Sequence, residues 1–237
     1  MKVHEFDIKK GVYHFELHGL TAEIHAHPVL EIINASKGTF SLTSSGRTYD
    51  QLVFAIIQPN ISHSVAAEDC TAQILMVESH NASLSDWLVE EGIKMENGIF
   101  AKRNFTDEDQ VFLKIKHLAV TEDFKTPTDP RISDCIQFME ENDLAYKNLI
   151  PALKAKVFLS DSRLSHLFKE HIGVSIKKYL VWNKLRQAIN QYLNEQTNLT
   201  DVSLQSGFFD QAHLSNSFKS VLGVSPSTAY NSRTLQS

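Results

Sequence analysis

Cysteine is scarce: the 237 residues contain two, Cys70 and Cys135, far apart in the chain. That excludes a disulfide framework, a thiol redox motif and a cysteine-based zinc site, and leaves two reduced, buried thiols as the expectation. No run of about 18 apolar residues occurs, so no membrane-spanning helix is expected. The opening stretch MKVHEFDIKKGVYHF has Glu5 and Asp7 where a secretion signal needs an apolar core, so a cytoplasmic chain is expected. There is no G-x-S-x-G, no glycine-rich phosphate loop and no H-E-x-x-H. No catalytic set stands out, and the chain is expected not to be an enzyme. Paired acids such as Glu90-Glu91 and Glu140-Glu141 read as solvated faces.

What is present divides unevenly. The net charge of −5 argues against a general nucleic-acid binder, but residues 1–130 carry 11 Lys+Arg against 19 Asp+Glu, whereas residues 131–237 carry 12 against 9. An acidic front half joined to a mildly basic back half implies two jobs, the second near a polyanion. The hydrophobic fraction of 42% is ordinary for a chain that buries a core.

Residues 1–80 read as strands. Val12–Leu17, Leu30–Asn34, Thr39–Thr43 and Leu52–Ile57 are rich in β-branched and aromatic residues, and turn signals such as Ser44-Ser45-Gly46 separate them. Many short strands at close spacing predict a sandwich or barrel. Residues 81–120 read as helical, over Ser83–Gly92 and Thr106–Val120. Thr106 is the expected N-cap of the second helix, with acids following in its first turn. Its stripe Val111, Ile115, Leu118 would pack either on its own domain or on a partner subunit. Residues 121–130, TEDFKTPTDP, read as a linker, and 131–237 as helical throughout.

The back half repeats itself. RLSHLFKEHIGVS (163–175) and HLSNSFKSVLGVS (213–225) share the frame L-S-x-x-F-K-x-x-x-G-V-S, offset by 50 residues. In the first copy Ser160 can cap a helix whose buried face is Leu164, Leu167 and Phe168 and whose end is Gly173. Ser162, Arg163, Ser165, His166 and Lys169 then face out. In the second copy Asp210 is the cap and Leu214 and Phe218 the buried face, while Gln211, His213, Ser215, Asn216 and Lys219 lie on exposed or flanking faces. A short helix over Leu199–Phe208, turning at Gly207, precedes it. A short helix, a glycine turn and a second helix with a polar outer face form a helix-turn-helix. One long helix, about Ile176–Gln196 and capped by Ser175, joins the units, so that two recognition helices could enter major grooves about 34 Å apart. A plain helical bundle would share the core residues; the outward Gln, Asn, His and Lys, able to bond base edges and phosphates, are what favour DNA.

The stretch from about Ser160 to Tyr230 resembles the AraC/XylS family of transcription regulators. GFFDQAHLSNSFKSVLGVSP (207–226) is similar to that family's C-terminal signature. The resemblance implies an activator of transcription that binds double-stranded DNA and works with RNA polymerase. It implies base contacts from Ser162, Ser165 and His166 in the first unit and from Gln211, His213, Ser215 and Asn216 in the second, with Lys169 and Lys219 serving phosphates or helix ends. The chain departs from the pattern at Lys154, Phe158, Ser203 and Ala229-Tyr230.

In the front half, Gly19-x5-His25-x-His27-x3-Glu31-x6-Gly38, with His63 beyond Pro59, has the spacing of the cupin motifs. His25, His27 and Glu31 share odd parity, which on one strand points them to one face; Pro28 lies between them. Three readings stand: hydrogen-bonded polar residues in a barrel mouth, polar anchors of a small-molecule effector pocket, or a divalent metal site for nickel, iron, manganese or zinc. The expected fold is α+β: a cupin-like effector barrel at 1–80, a helical dimerisation or packing segment at 81–120, a linker, and an all-α DNA-binding domain at 131–237. The expected function is an effector-responsive DNA-binding regulator that could act as a homodimer. The alternative is a cupin metalloenzyme of the dioxygenase type with a helical appendage, which leaves the repeat unexplained.

Overall fold

In the computed structural model, which describes residues 2–104, 108–195 and 198–230, the front of the chain forms antiparallel sheet. Its strands are β1 (Lys2–Asp7), β2 (Val12–His25), β3 (Leu30–Lys37), β4 (Phe40–Ser44), β5 (Arg47–Leu52), β6 (Phe54–Ile57) and β7 (His63–Val77). They are followed by helix α1 (Ser83–Glu90), strand β8 (Ile99–Lys102) and helix α2 (Glu108–Thr121). The expected cap Thr106, with Asp107, and the expected helix end Gln196 lie outside the described residues.

Long β7 is the spine. β2 pairs along one side of it, and β3 and then β4 pair along the other, with the order β1-β2-β7-β3-β6-β8 across the sheet. The strand expected at Val12–Leu17 runs on to His25, where it lies opposite His63. Segment 81–120 is not purely helical. After the turn at Asn97-Gly98, both with positive φ, β8 pairs with β6 and closes that edge of the sheet. Four residues give too short a period to read as a strand from sequence.

β3 is buried through its first six residues rather than alternately, because α2 covers its outer side. Phe112, Ile115 and Ala119 form the buried face of α2, while Val111 and Leu118 are half-buried at its flanks. The stripe therefore packs on its own domain. Residues 121–130 are packed too: Phe124 is buried, its carbonyl accepts from the His80 amide at 2.8 Å, and Lys125 pairs with Glu140 at 2.7 Å.

The back half is helical: α3 (Pro130–Glu141), α4 (Tyr146–Val157), α5 (Asp161–Ile172), α6 (Ile176–Glu195), α7 (Leu199–Gln205), α8 (Gln211–Leu222) and α9 (Pro226–Tyr230). The caps follow the sequence. Asp129 accepts from the Arg131 amide with Pro130 in the first turn. Ser160 accepts from the Arg163 amide, Ser175 from Lys178 and Asp210 from His213. Gly173 and Gly223 end α5 and α8 in the left-handed region.

The halves meet at a buried ion pair. Arg186 of α6 reaches Glu78, just after β7, where its Nη1 donates to both carboxylate oxygens at 2.6 and 2.8 Å, and neither side chain has any exposure. Tyr13 and Trp182 donate to the same carboxylate at 2.6 and 3.0 Å. Arg186 also donates to Glu140 at 2.5 Å and to Asn183 at 2.8 Å. Burial would raise the Glu78 carboxyl, but the guanidinium outweighs it and holds the group well below its ordinary 4.5. Its contribution to stability is present above pH 4.5 and is lost as pH falls through the depressed value. Removing one partner of such a pair leaves a buried charge alone. Arg186→Met should therefore cost about 3–5 kcal/mol in urea unfolding, and a loss under about 1 kcal/mol, the worth of an exposed pair, would contradict the role given to this contact.

Candidate DNA interface and sensing cluster

The first helix-turn-helix is α4 and α5. The turn between them rests on Phe158, left-handed at φ 54° and ψ 41° and 92% exposed. A β-carbon is strained there, which is why glycine is the usual choice. Lys154, the other departure in this unit, pairs with Asp161 across the turn at 3.0 Å. On α5, Leu164, Leu167 and Phe168 are buried, and Ser162, Arg163, Ser165, His166 and Lys169 are all exposed on the other side.

The second unit is α7 and α8, with the turn at Gly207 (φ 73°) held by Lys184, which donates to the Gly207 carbonyl at 3.0 Å. Ser203, one of the departures from the family pattern, is buried and satisfied: its hydroxyl donates to the Thr200 carbonyl at 2.7 Å. Leu214 and Phe218 are buried, Gln211, His213 and Asn216 are exposed, and Ser215 is half-buried. Thr200 donates to the Gln211 side chain at 2.9 Å and the Phe209 amide to His213 Nδ1 at 3.3 Å, so both side chains are already oriented. Phe209, immediately before the α8 cap, is 85% exposed.

Lys219 behaves differently from its counterpart Lys169. It forms an ion pair with Glu23 of β2 at 2.7 Å, so in this arrangement it is engaged by the front half rather than free for a phosphate. Beside it the Glu23 amide donates to the Gly223 carbonyl at 2.8 Å. A β-carbon on Gly223 would lie 2.6 Å from the Glu23 carbonyl oxygen and from His25 Nδ1, so only glycine admits this approach. The C-terminal end of α8 thus rests on the sheet at β2.

Directly beneath that contact lies the histidine cluster. His25 ends β2, His27 sits in the loop, Glu31 is on β3 and His63 begins β7, and all four are buried. The expectation that one strand presents His25, His27 and Glu31 by parity does not hold, because Pro28 interrupts the chain between them. Curling of the sheet brings them together instead, and adds His63. Glu31 Oε2 is 3.2 Å from His27 Nε2 and 3.0 Å from His63 Nε2, and one ligand atom from each of the four residues lies within 4.8 Å of the others. Burial would raise Glu31, but its bonds to His27 and His63 keep it well below its ordinary range. Burial would lower His63, but Glu31 raises it, whereas burial dominates at His25 and lowers it to about 4.

His25 and Glu31 form the polar edge of an otherwise apolar cavity of about 80 Å³, lined by Phe15, Ile74 and Met76 of the sheet and by Ile189, Phe218 and Leu222 of the back half. Sequence reasoning did not find this shared cavity, nor Glu78 and Arg186. The signal for Arg186 was legible: it replaces an apolar residue in the stripe Tyr179, Trp182, Arg186, Ile189 of α6.

Residues 153–232 match the family described as a helix-turn-helix domain. The chain is 33% identical over 110 residues to the arabinose operon regulatory protein of Escherichia coli (strain K12), covering 46% of this chain and 37% of that protein. It is 31% identical over 116 residues to the same-named protein of Salmonella typhimurium, covering 48% and 41%. The chain thus spans less than half the length of these curated relatives. ToxT from Vibrio cholerae, solved with (E)-4-(8-methylnaphthalen-1-yl)but-3-enoic acid, shares the fold with TM-score 0.58 over 92% of this chain and 97% of that one, at 14% identity. No helix among the described residues is long and apolar enough to cross a membrane.

Phe158→Gly relieves a left-handed phenylalanine and removes an exposed ring. The variant should match or exceed the parent in urea unfolding, by up to about 1 kcal/mol; a loss of that size would mean that Phe158 supports the turn.

Proposed function

We propose that this chain is a member of the AraC/XylS family and a sequence-specific DNA-binding transcription regulator controlled by an effector bound in its N-terminal half. The observation that carries the reading is the pair of capped recognition helices, α5 and α8, each with a polar, exposed outer face on a buried apolar one. Ser162, Ser165 and His166 of the first, and Gln211, His213, Ser215 and Asn216 of the second, are the proposed base-contacting set, with Arg163 a further proposed DNA contact. Lys169 is the proposed phosphate contact, joined by Lys219 once it leaves Glu23.

His25, His27, Glu31 and His63 are the proposed effector anchor, for a small molecule or a metal ion. The cavity above them is smaller than the roughly 150 Å³ site that accepts benzene in an engineered protein. An organic effector as large as the naphthalenyl acid in ToxT would have to part α8 from the barrel, which is how its binding would shift the population between two placements of the second unit. The further proposed partners are RNA polymerase and a second copy of the chain, with activation as the outcome; Leu113, 61% exposed on the outer side of α2, is available to a partner subunit. A DNA target implies action in the cytoplasm. The relatives are transcription regulators, which supports this reading over the metalloenzyme alternative.

Gel shifts against genomic fragments test the proposal: some fragments should compete well above bulk DNA at moderate salt. Gln211→Ala and His213→Ala should each relax that preference by about 1–3 kcal/mol, the discrimination a good base contact gives, with unchanged far-ultraviolet circular dichroism. Undiminished preference in both variants would refute the assignment, and no preferred fragment at all would refute the function.

A further inference from the structure

The three histidines of the cluster are held the same way round. His25 Nδ1 lies 2.7 Å from the Glu23 carbonyl, His27 Nδ1 3.1 Å from the Val29 carbonyl and His63 Nδ1 2.9 Å from the Ile61 carbonyl. A carbonyl oxygen only accepts, so each Nδ1 carries the proton and each neutral ring is left with its lone pair on Nε2. Those of His27 and His63 are aimed at Glu31 Oε2, which also only accepts. A nest of polar residues satisfied by hydrogen bonds alone alternates donors with acceptors. Here three imidazole nitrogens and a carboxylate oxygen converge in a buried space, and among the described residues the hydrogen bonds at Glu31 Oε2 can be made only when His27 or His63 takes a second proton. A cation satisfies all four at once. Backbone carbonyls that fix the outer nitrogen of each ring are the usual support of a metal-binding histidine. Size points the same way, because an ion needs only the space among the four donors, whereas the neighbouring cavity is too small for most organic effectors.

Resting on the regulator reading above, which makes the barrel the sensing half, we propose that His25, His27, Glu31 and His63 bind one divalent transition-metal ion, and that the ion holds the second helix-turn-helix unit on the barrel by fixing His25. Three nitrogens and one carboxylate suit zinc, nickel, cobalt, iron or manganese and are a poor set for magnesium or calcium. The route to the DNA-binding half is short. The carbonyl that orients His25 belongs to Glu23, whose amide donates to Gly223 and whose carboxylate pairs with Lys219, at the end of α8. Metal at His25 immobilises the Glu23 peptide and with it the seat of the recognition helix.

The test uses the full chain without an affinity tag, stripped with a chelator and titrated with Zn²⁺ or Co²⁺ in the absence of DNA. One equivalent should bind, and Co²⁺ should develop visible absorption bands of a nitrogen-ligated site. His63→Ala should weaken binding about tenfold or more. If that variant does not fold, Glu31→Gln, which keeps the shape and removes the charge, serves the same purpose. Hydrogen exchange at the Glu23 amide should slow on loading. No stoichiometric binding, or binding unchanged by these substitutions, overturns the site; binding without slowed exchange at Glu23 overturns the coupling. The same samples assayed for DNA separate the two claims. Fragment preference in a protein that takes no metal sinks this inference alone, and stoichiometric metal without fragment preference sinks the regulator reading alone.

Discussion

A carboxylate and a guanidinium, both removed from water, fasten the two halves of this protein to each other. Glu78 and Arg186 could not be buried singly, since the desolvation of either charge is repaid only by the other and by the hydrogen bonds around them. Tyr13, Trp182, Asn183 and Glu140 supply those bonds from β2, α6 and α3. The pair therefore forms completely or not at all, and it fixes α6 against β7. Both elements reach further. α6 is the helix that spaces the two helix-turn-helix units, and β7 begins at His63 in the histidine cluster. The histidine cluster and the helix-turn-helix half thus share a rigid joint.

The second contact between the halves is of a different strength. Lys219 and Glu23 are 48% and 66% exposed, and such pairs contribute little. One backbone hydrogen bond between Glu23 and Gly223 adds about 1 kcal/mol. Phe218 and Leu222 close over an apolar cavity that is imperfectly filled. One side of the interface is locked and the other, beside His25, is releasable. A few kcal/mol supplied beside His25 would therefore suffice to part α8 from the sheet without disturbing the strong contact.

Much of this was legible in the sequence, for reasons that differ by region. The helix boundaries of the back half are written in caps: Ser160, Ser175 and Asp210 at the starts, Gly173 and Gly223 at the ends, each bonding where local chemistry requires. Ser203 and Lys154 break the expected pattern and are accommodated by a hydroxyl bond and a surface ion pair. The spacing of His25, His27, Glu31 and His63 marks the cluster, but strand parity does not survive Pro28; what joins its members is sheet curvature, a property of pairing between distant segments. β8 was missed because a four-residue strand has no period of its own and exists only against β6. The Glu78–Arg186 pair and the docking of α8 depend on contacts more than 100 residues apart, which no local pattern encodes, though an arginine in the apolar stripe of α6 marked the place.

On the proposed function, one chain presents two unlike recognition helices at a fixed separation to DNA. Mapping of bound sites across the genome tests it most directly. The expected result is a limited set of sharply occupied sites sharing a motif of two different elements about one helical turn, roughly 10 base pairs, apart. Occupancy spread evenly along the genome, or enriched sites without a shared two-part motif, would contradict it.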